Sequence, residues 1–171
     1  MIKASITTVL TLFVCLLFYT SNLQAKDPAR VIAGWVEKVR VNNYDFAVKA
    51  KLDTGARTSS IHAKNIKSFK KDGERWVKFT LVLKDNKDNL HEIEIEKPRS
   101  RRTNIKNHDG EHDKRHVVDL EVCFNGKKYN TEFTLADRRE YIYDILLGRQ
   151  FLKKVAIVDP KSIFLTTAEC K

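Results

Sequence analysis

Residues 51–60, KLDTGARTSS, hold an Asp-Thr-Gly triplet that occurs once in the chain, directly after a strand-like run. A carboxylate can act as a general base on water, but amide hydrolysis also needs a group that returns a proton to the other side of the reaction. Two carboxylates at close range do both, because their like charges keep one shared proton between them. The hydroxyl of Thr54 and the backbone N–H of Gly55 can fix the carboxylate of Asp53 in a tight loop.

A second segment, residues 143–152 (YDILLGRQFL), separates this triplet from an ordinary turn, in which Asp, Thr and Gly are also common. Three apolar residues precede Gly148, and Arg149 follows it. An apolar strand that ends in Gly-Arg and leads into a short helix can run beneath the aspartate loop and brace it. The two segments together favour an active site over a plain turn.

The pairing of apolar residues and Asp-Thr-Gly-Ala with apolar residues and Gly-Arg resembles the retropepsin-like aspartic peptidases. Much of residues 31–168 is similar to one bacterial family of this class, which carries the label "ATP-dependent zinc protease" and is associated with ATP-grasp ligases. The segments that carry this resemblance are KLDTGARTSSIHA (51–63), RWVKFTL (75–81), LADRRE (135–140) and LLGRQFL (146–152). The resemblance implies an all-β fold, namely a small closed acid-protease barrel with one short C-terminal helix.

The resemblance also implies a role for each residue of the loop. Asp53 would be the catalytic aspartate, Thr54 would place its hydroxyl across the pair, and Gly55 would shape the loop that holds the carboxylate. The residues expected to support this site are Ala56, Thr58, Ser59, His62, Gly148 and Arg149. His62 is expected to support Asp53 rather than to activate a serine, because no nucleophile elbow accompanies it.

Since the chain has one such triplet, a two-aspartate site requires a homodimer with Asp53 of each subunit near a twofold axis. Retropepsins are homodimers of this kind. The predicted function is therefore an aspartic endopeptidase, a hydrolase that cleaves a peptide or protein substrate with an activated water. The alternative is a non-catalytic binding module, a retropepsin fold that holds an acidic partner.

Two departures from the viral retropepsins are visible in the sequence. The acidic residue that follows Asp-Thr-Gly-Ala there is Arg57 here, so we expect Arg149 to pair with Asp137 or Asp144 instead. Residues 97–116 form a long, polar and basic stretch, expected as an irregular insertion in or near the flap. Its arginines, of which Arg101, Arg102 and Arg115 are candidate substrate-binding residues, suggest an acidic substrate or a non-peptidic polyanion. Solvated loop charges are the competing interpretation.

No cofactor or metal is expected. The glycines are scattered, so no phosphate-binding loop forms, and no His-Glu-x-x-His motif occurs. His108, His112 and His116 would share one face of a helix, but Gly110 interrupts the segment and favours a His-rich loop. The net charge of +10 favours anionic partners, yet no recognition helix, zinc finger or aromatic platform predicts nucleic acid binding.

The first 25 residues have the pattern of a secretory signal peptide, with a basic start, an apolar run over residues 9–19 and a polar end at Ala25. Cleavage there would leave residues 26–171 as one peptidase domain in the periplasm or outside the cell. The alternative is an uncleaved signal that anchors the protein in the inner membrane. Cys123 and Cys170 remain after cleavage, and they could pair, stay free or bridge two molecules.

The elements that must position these residues are almost all strands, because period-two alternation dominates the chain. Asp72-Gly73 and Asn125-Gly126 predict tight turns, the second within a hairpin over residues 117–135. The predicted strands cover residues 31–41, 44–52, 77–83, 93–95, 155–159 and 163–166, with a turn at 84–89 and a helix at 149–153.

Overall fold

The structure, a computed structural model, describes residues 29–106 and 112–170. The predicted signal peptide lies outside the described residues, as do His108 and Gly110. Within the described ranges, no helix is long and apolar enough to cross a membrane.

Strands make up most of the described chain, and one helix follows the last barrel strand. The elements are β1 (Val31–Val41), β2 (Val48–Asp53), β3 (Ser59–Lys71), β4 (Glu74–Lys84), β5 (Leu90–Pro98), β6 (Arg101–Lys106), β7 (His112–Phe124), β8 (Lys127–Ala136), β9 (Ile145–Gly148), α1 (Arg149–Val155) and β10 (Ala156–Ile163).

Six of these strands close into a barrel in the order β1-β2-β9-β3-β8-β7, with β7 pairing back to β1. The pairs β2–β9 and β3–β8 are parallel, and the other barrel pairs are antiparallel. Apolar side chains from every barrel strand fill the interior, among them Val39, Ala50, Ile61, Leu120, Phe133 and Leu147. The predicted closed all-β barrel with one short helix is confirmed, whereas the homodimer stays a prediction.

Local turn chemistry agrees with the sequence. Asp72-Gly73 and Asn125-Gly126 both adopt positive φ, as a tight hairpin turn requires. The second predicted strand begins at Val48 rather than at residue 44. Tyr44 and Phe46 stack on each other instead of joining the strand ladder, and Phe46 stacks on His91.

Two predictions of secondary structure are wrong. Where the structure describes them, residues 97–106 and 112–116 are not an irregular insertion: β5 extends to Pro98, and β6 and β7 pair as the two arms of a hairpin with Arg101 opposite Val117. This hairpin reaches beyond the barrel, so its strands lack the apolar alternation that marks a half-buried strand. The two predicted strands at 155–159 and 163–166 are replaced by one strand, β10, which ends at Ile163 and lies at an edge where Pro160 costs no ladder hydrogen bond. Residues 164–166 belong to the C-terminal tail rather than to a strand.

The C-terminal tail, residues 164–170, is fastened to the barrel by a disulfide and by a buried carboxylate, among other contacts. Cys123 and Cys170 form an intramolecular disulfide. The carboxylate of Glu37, fully buried, accepts hydrogen bonds from the backbone N–H groups of Gly34, Leu165 and Thr166 and from the Thr166 hydroxyl. These donors compensate for burying the carboxylate.

Candidate active site

Asp53 is the last residue of β2 and lies beside Gly148, the last residue of the parallel strand β9. Alternate residues of β2 (Val48, Ala50 and Leu52) point into the core. Asp53 and Lys51 therefore share the opposite face of the strand, outside the apolar interior.

The carboxylate of Asp53 is held by its own loop. Its Oδ1 accepts hydrogen bonds from the N–H groups of Gly55 (2.9 Å) and Ala56 (3.1 Å), and its Oδ2 lies 3.2 Å from Nζ of Lys51. Partial burial opposes ionisation, but the two N–H groups and the ammonium outweigh it. The pKa of Asp53 consequently lies below its ordinary value.

Gly148 lies directly under the aspartate loop, where the resemblance places it. A Cβ on Gly148 would stand 2.6 Å from the carbonyl carbon and oxygen of Thr58, so only glycine fits. The N–H of Gly148 donates to the hydroxyl of Ser59, and the hydroxyl of Thr134 donates to the Ser59 carbonyl. Thr58 and Ser59 thus join the loop to β9 and β8.

Arg149 does not pair with Asp137 or Asp144, contrary to the prediction. Its Nη1 donates to the carbonyls of Thr54 (2.8 Å) and Gly55 (2.7 Å). Asp137 instead pairs with Arg139, while Asp144 accepts the backbone N–H of Lys84. The guanidinium therefore binds the loop backbone directly, without an acidic residue at position 57.

The tip of the aspartate loop faces outward. Thr54 and Gly55 are exposed, and within residues 29–106 and 112–170 the Thr54 hydroxyl has no hydrogen-bond partner. The Asp53 side chain is itself 22% exposed. A single chain therefore presents the Asp53 loop on an accessible surface.

A cavity of about 420 Å³ opens next to Asp53, and we call it the Asp53 pocket. It is lined by Trp35, Lys51, Asp53, Arg138, Glu140, Tyr141, Ile142, Tyr143 and Leu146. Several of these residues belong to the 137–144 loop, which joins β8 to β9.

Two residues of the pocket, Arg138 and Lys51, were not predicted from the sequence as part of the site. The only signal for Arg138 was its place in the LADRRE segment.

His62 supports this loop rather than Asp53 itself. Its ring, 5% exposed, uses Nδ1 to accept the backbone N–H of Arg138 at 2.9 Å. The backbone N–H of His62 donates to the carbonyl of Asp144. His62 therefore contacts both ends of the 137–144 loop that lines the Asp53 pocket.

The candidate arginines of the β6–β7 hairpin differ in their surroundings. Arg101 forms a two-pronged ion pair with Glu132, and Arg115 pairs with Asp113. Arg102 is exposed. Among the described residues, Arg101 and Arg115 each have a carboxylate partner that they would have to exchange for an acidic substrate, whereas Arg102 has none.

The histidine segment is strand rather than loop or helix over its described part. His112 and His116 lie four residues apart on β7, a span of roughly 13 Å along a strand. The pKa of His116 is lowered by burial and by the charges of Arg102 and Arg99. Among the residues that the structure describes, no three His, Cys, Asp or Glu side chains converge to hold a metal ion.

A closed six-stranded barrel with an Asp-Thr-Gly loop braced by Gly-Arg defines a retropepsin-like fold. A sequence model of the RimB-like family, described as "Retropepsin-like aspartic endopeptidase RimB", matches residues 32–169. The chain belongs to this family.

Two curated relatives carry a different name. A Shewanella pealeana protein named "Probable alpha-L-glutamate ligase" is 41% identical over 118 residues, which are 69% of this chain and 26% of that protein. A Desulfotalea psychrophila protein of the same name is 38% identical over 114 residues, 67% of this chain and 24% of that protein. The chain thus spans about a quarter of the length of the curated relatives it matches.

A solved structure has the same fold. The crystal structure of a Legionella pneumophila protein with unknown function superimposes with a TM-score of 0.67 at 29% sequence identity. The match covers 81% of this chain and 100% of the Legionella pneumophila chain.

Proposed function

We propose that the protein is an aspartic endopeptidase that hydrolyses peptide bonds with a water activated by two Asp53 residues, one from each subunit of a homodimer. The observation that carries this proposal is the Asp53 loop. One carboxylate oxygen is fixed by two backbone N–H groups, Arg149 and Gly148 brace the loop from below, and the loop tip is exposed. Family membership supports the same activity.

The chemistry follows from two carboxylates that share one proton. The ionised Asp53 takes a proton from water as the oxygen attacks the peptide carbonyl, while the protonated Asp53 donates its proton to the carbonyl oxygen. The resulting diol collapses when the peptide nitrogen receives a proton and the C–N bond breaks. Fixed N–H donors on Oδ1 keep each carboxylate oriented without reorganisation during the reaction.

The proposed substrate is an acidic peptide or protein. The net charge of +10 and the exposed Arg102 on the β6–β7 hairpin favour anionic partners. The relatives named as glutamate ligases support this assignment, because such a ligase handles an acidic amino acid. We further propose an envelope location, on the signal-peptide pattern of residues 1–25.

Subunit mixing tests the proposed dyad. An excess of Asp53→Asn protein is added to wild type under conditions that exchange subunits, and cleavage of an acidic peptide is followed. Because each site needs two aspartates, heterodimers are expected to be inactive and activity falls with the fraction of mixed dimers. Lys153→Met protein, changed on the exposed face of α1, is the control and should not suppress activity.

Two other results would change the proposal. If the activity of the mixture falls only as far as the dilution of the wild-type protein explains, each subunit would carry a complete site of its own. A folded, dimeric wild type that binds acidic peptides but cleaves none would favour the non-catalytic binding module.

A further inference from the structure

The hairpin formed by β3 and β4 continues beyond the part of these strands that packs in the core. Its strands stay paired up to the turn at residues 72–73, with Phe69 opposite Trp76. From residue 67 to residue 75, side chains on both faces of the hairpin are exposed, apart from Phe69, which is partly buried. We call residues 67–76 the hairpin end. A segment that is exposed on both faces adds little to the core, so burial does not explain its residue types.

Two aromatic side chains stand side by side on the outer face of the hairpin end. Phe69 and Trp76 are cross-strand partners, and Trp76 also lies opposite Pro98 of β5, so the three form one apolar row across the sheet. Both rings are partly exposed, and the ammonium of Lys71 lies over the Trp76 ring, 4.7 Å from its centroid. Tryptophan, with an apolar body and a polar N–H, is enriched where hydrocarbon meets water. The sequence did not predict this row, because strand register alone makes Phe69 and Trp76 neighbours.

Four exposed cations surround the aromatic row. Lys67 and Lys71 alternate with Phe69 on the outer face, while Lys70 and Arg75 lie opposite each other on the other face. Across the part of the chain that the structure describes, none of the four forms an ion pair with a carboxylate. The two acidic residues beside the turn leave the hairpin end with a net charge of +2. Its free cations are therefore available to an anionic surface.

Cations on both faces of one hairpin end suit a planar anionic surface that is met end-on. A polymer strand, such as single-stranded nucleic acid, would lie across one face and leave the cations of the other face in water. Nucleic acid is also bound by aromatic side chains spaced along a groove, whereas Phe69 and Trp76 share one row. A bilayer with anionic lipid contacts both faces at once, and each Lys or Arg near its head groups favours binding about fivefold.

We propose that the hairpin end is a membrane-docking surface for an anionic bilayer. Phe69 and Trp76 enter the interface, and the four cations bind the lipid phosphates. Ser59 and Lys71 are the two ends of β3, a strand of 13 residues that spans roughly 40 Å. Since Ser59 lies beside the aspartate loop, a bilayer at the hairpin end leaves the Asp53 loop uncovered. The surface agrees with the proposed envelope location and does not depend on peptidase activity.

Vesicle flotation tests the charges. Full-length protein is mixed with vesicles of phosphatidylglycerol and phosphatidylethanolamine, or of phosphatidylcholine alone, so that any affinity of residues 1–25 for lipid is the same in every variant. Wild type should prefer the anionic vesicles, and Lys70→Gln/Lys71→Gln should weaken that binding roughly 10- to 30-fold. Lys153→Gln/Lys154→Gln removes the same charge from the exposed face of α1 and should bind as wild type does.

Tryptophan emission tests the aromatic row. The chain has two tryptophans, Trp35 and Trp76, so a Trp35→Phe variant reports on Trp76 alone. On anionic vesicles this emission should shift to shorter wavelength and be quenched by lipids brominated in the upper acyl chain. On phosphatidylcholine vesicles it should change little.

Four outcomes would overturn the proposal. The first two are equal binding of wild type to both kinds of vesicle and equal weakening by the two double variants, which would indicate attraction by net charge alone. The third is Trp76 emission that bound lipid leaves unquenched. The fourth is a wild type that ignores vesicles but binds a fluorescent oligothymidylate, with binding lost in Lys70→Gln/Lys71→Gln, which would make nucleic acid the occupant. None of these measurements uses a peptide substrate, so failure of the proposed peptidase would leave their result unchanged.

Discussion

The backbone of Gly148 lies against the backbone of Thr58 so closely that residue 148 has no room for a side chain. This contact joins the end of β9 to the loop that follows Asp53. The geometry of the Asp53 carboxylate therefore depends on Gly148, a glycine 95 positions further along the chain.

Gly148→Ala should disturb this contact directly. The added Cβ would stand 2.6 Å from the Thr58 carbonyl, a separation that the loop must relieve by moving. We expect a loss of about 1 to 3 kcal/mol in unfolding free energy, as for overpacking, and a larger relative loss of peptidase activity. Urea denaturation and peptide cleavage measure the two effects. Gln150→Ala, on the exposed face of α1, should change neither, and unchanged stability in Gly148→Ala would contradict the contact.

Arg149→Met should impair the loop without unfolding the protein. The substitution removes the hydrogen bonds to the carbonyls of Thr54 and Gly55 but keeps the length of the side chain. Since hydrogen bonds to charged groups contribute about 1.5 to 3 kcal/mol, kcat should fall roughly tenfold or more. Lys153→Met, on the same helix, serves as the control for charge. Wild-type kcat in Arg149→Met would show that the loop holds its shape without the guanidinium.

Two substitutions of His62 separate its hydrogen bond from its bulk. Leucine leaves the buried N–H of Arg138 without an acceptor, at a cost of about 1 to 3 kcal/mol, and should raise KM by releasing the 137–144 loop. Asparagine places its Oδ1 at the same distance along the side chain as Nδ1 of histidine. His62→Asn should therefore recover most of the stability and KM that His62→Leu loses. Equal damage by the two variants would argue against a role for the hydrogen bond.

Reduction of the disulfide should destabilise the protein while leaving its fold in place. Cys123 and Cys170 are separated by 47 positions, and opening a loop of this size costs about 2 to 4 kcal/mol. The tail remains attached through Glu37 after reduction. The urea midpoint of wild type should fall on addition of dithiothreitol, and that of the Cys123→Ser/Cys170→Ser variant should not. An insensitive wild-type midpoint would indicate that the thiols are unpaired in solution.

The fold was predictable where local chemistry and burial agree. Asn125-Gly126 permits one kind of hairpin turn. The sequence of β1 alternates between apolar and polar residues because one face of this strand packs in the barrel. Residues 97–116 were misjudged because the β6–β7 hairpin buries little, so its sequence carries no apolar period. The strand at 156–163 was predicted as two strands because it contains Pro160. Proline is tolerated in an edge strand, and the sequence does not reveal that this strand lies at an edge.

Only the part of the site that lies in contiguous sequence motifs was predictable. Asp53 and Gly148 stand in recognisable segments, and the structure brings them side by side. Arg149 was expected to need an acidic partner, whereas it binds backbone carbonyls that no sequence pattern records. Lys51 and Arg138 come together through the pairing of β2 with β9 and the path of the 137–144 loop. Such a pocket is a product of tertiary structure.

The most direct test of the account compares wild type with Asp53→Asn. Both proteins, shown to be folded and dimeric, are incubated with an extract of envelope proteins, and new peptide termini are identified by mass spectrometry. The account predicts cuts made by wild type and absent with Asp53→Asn, enriched in acidic residues beside the cleaved bond. The same cuts with both proteins, or none with either, would contradict an aspartic endopeptidase that depends on Asp53.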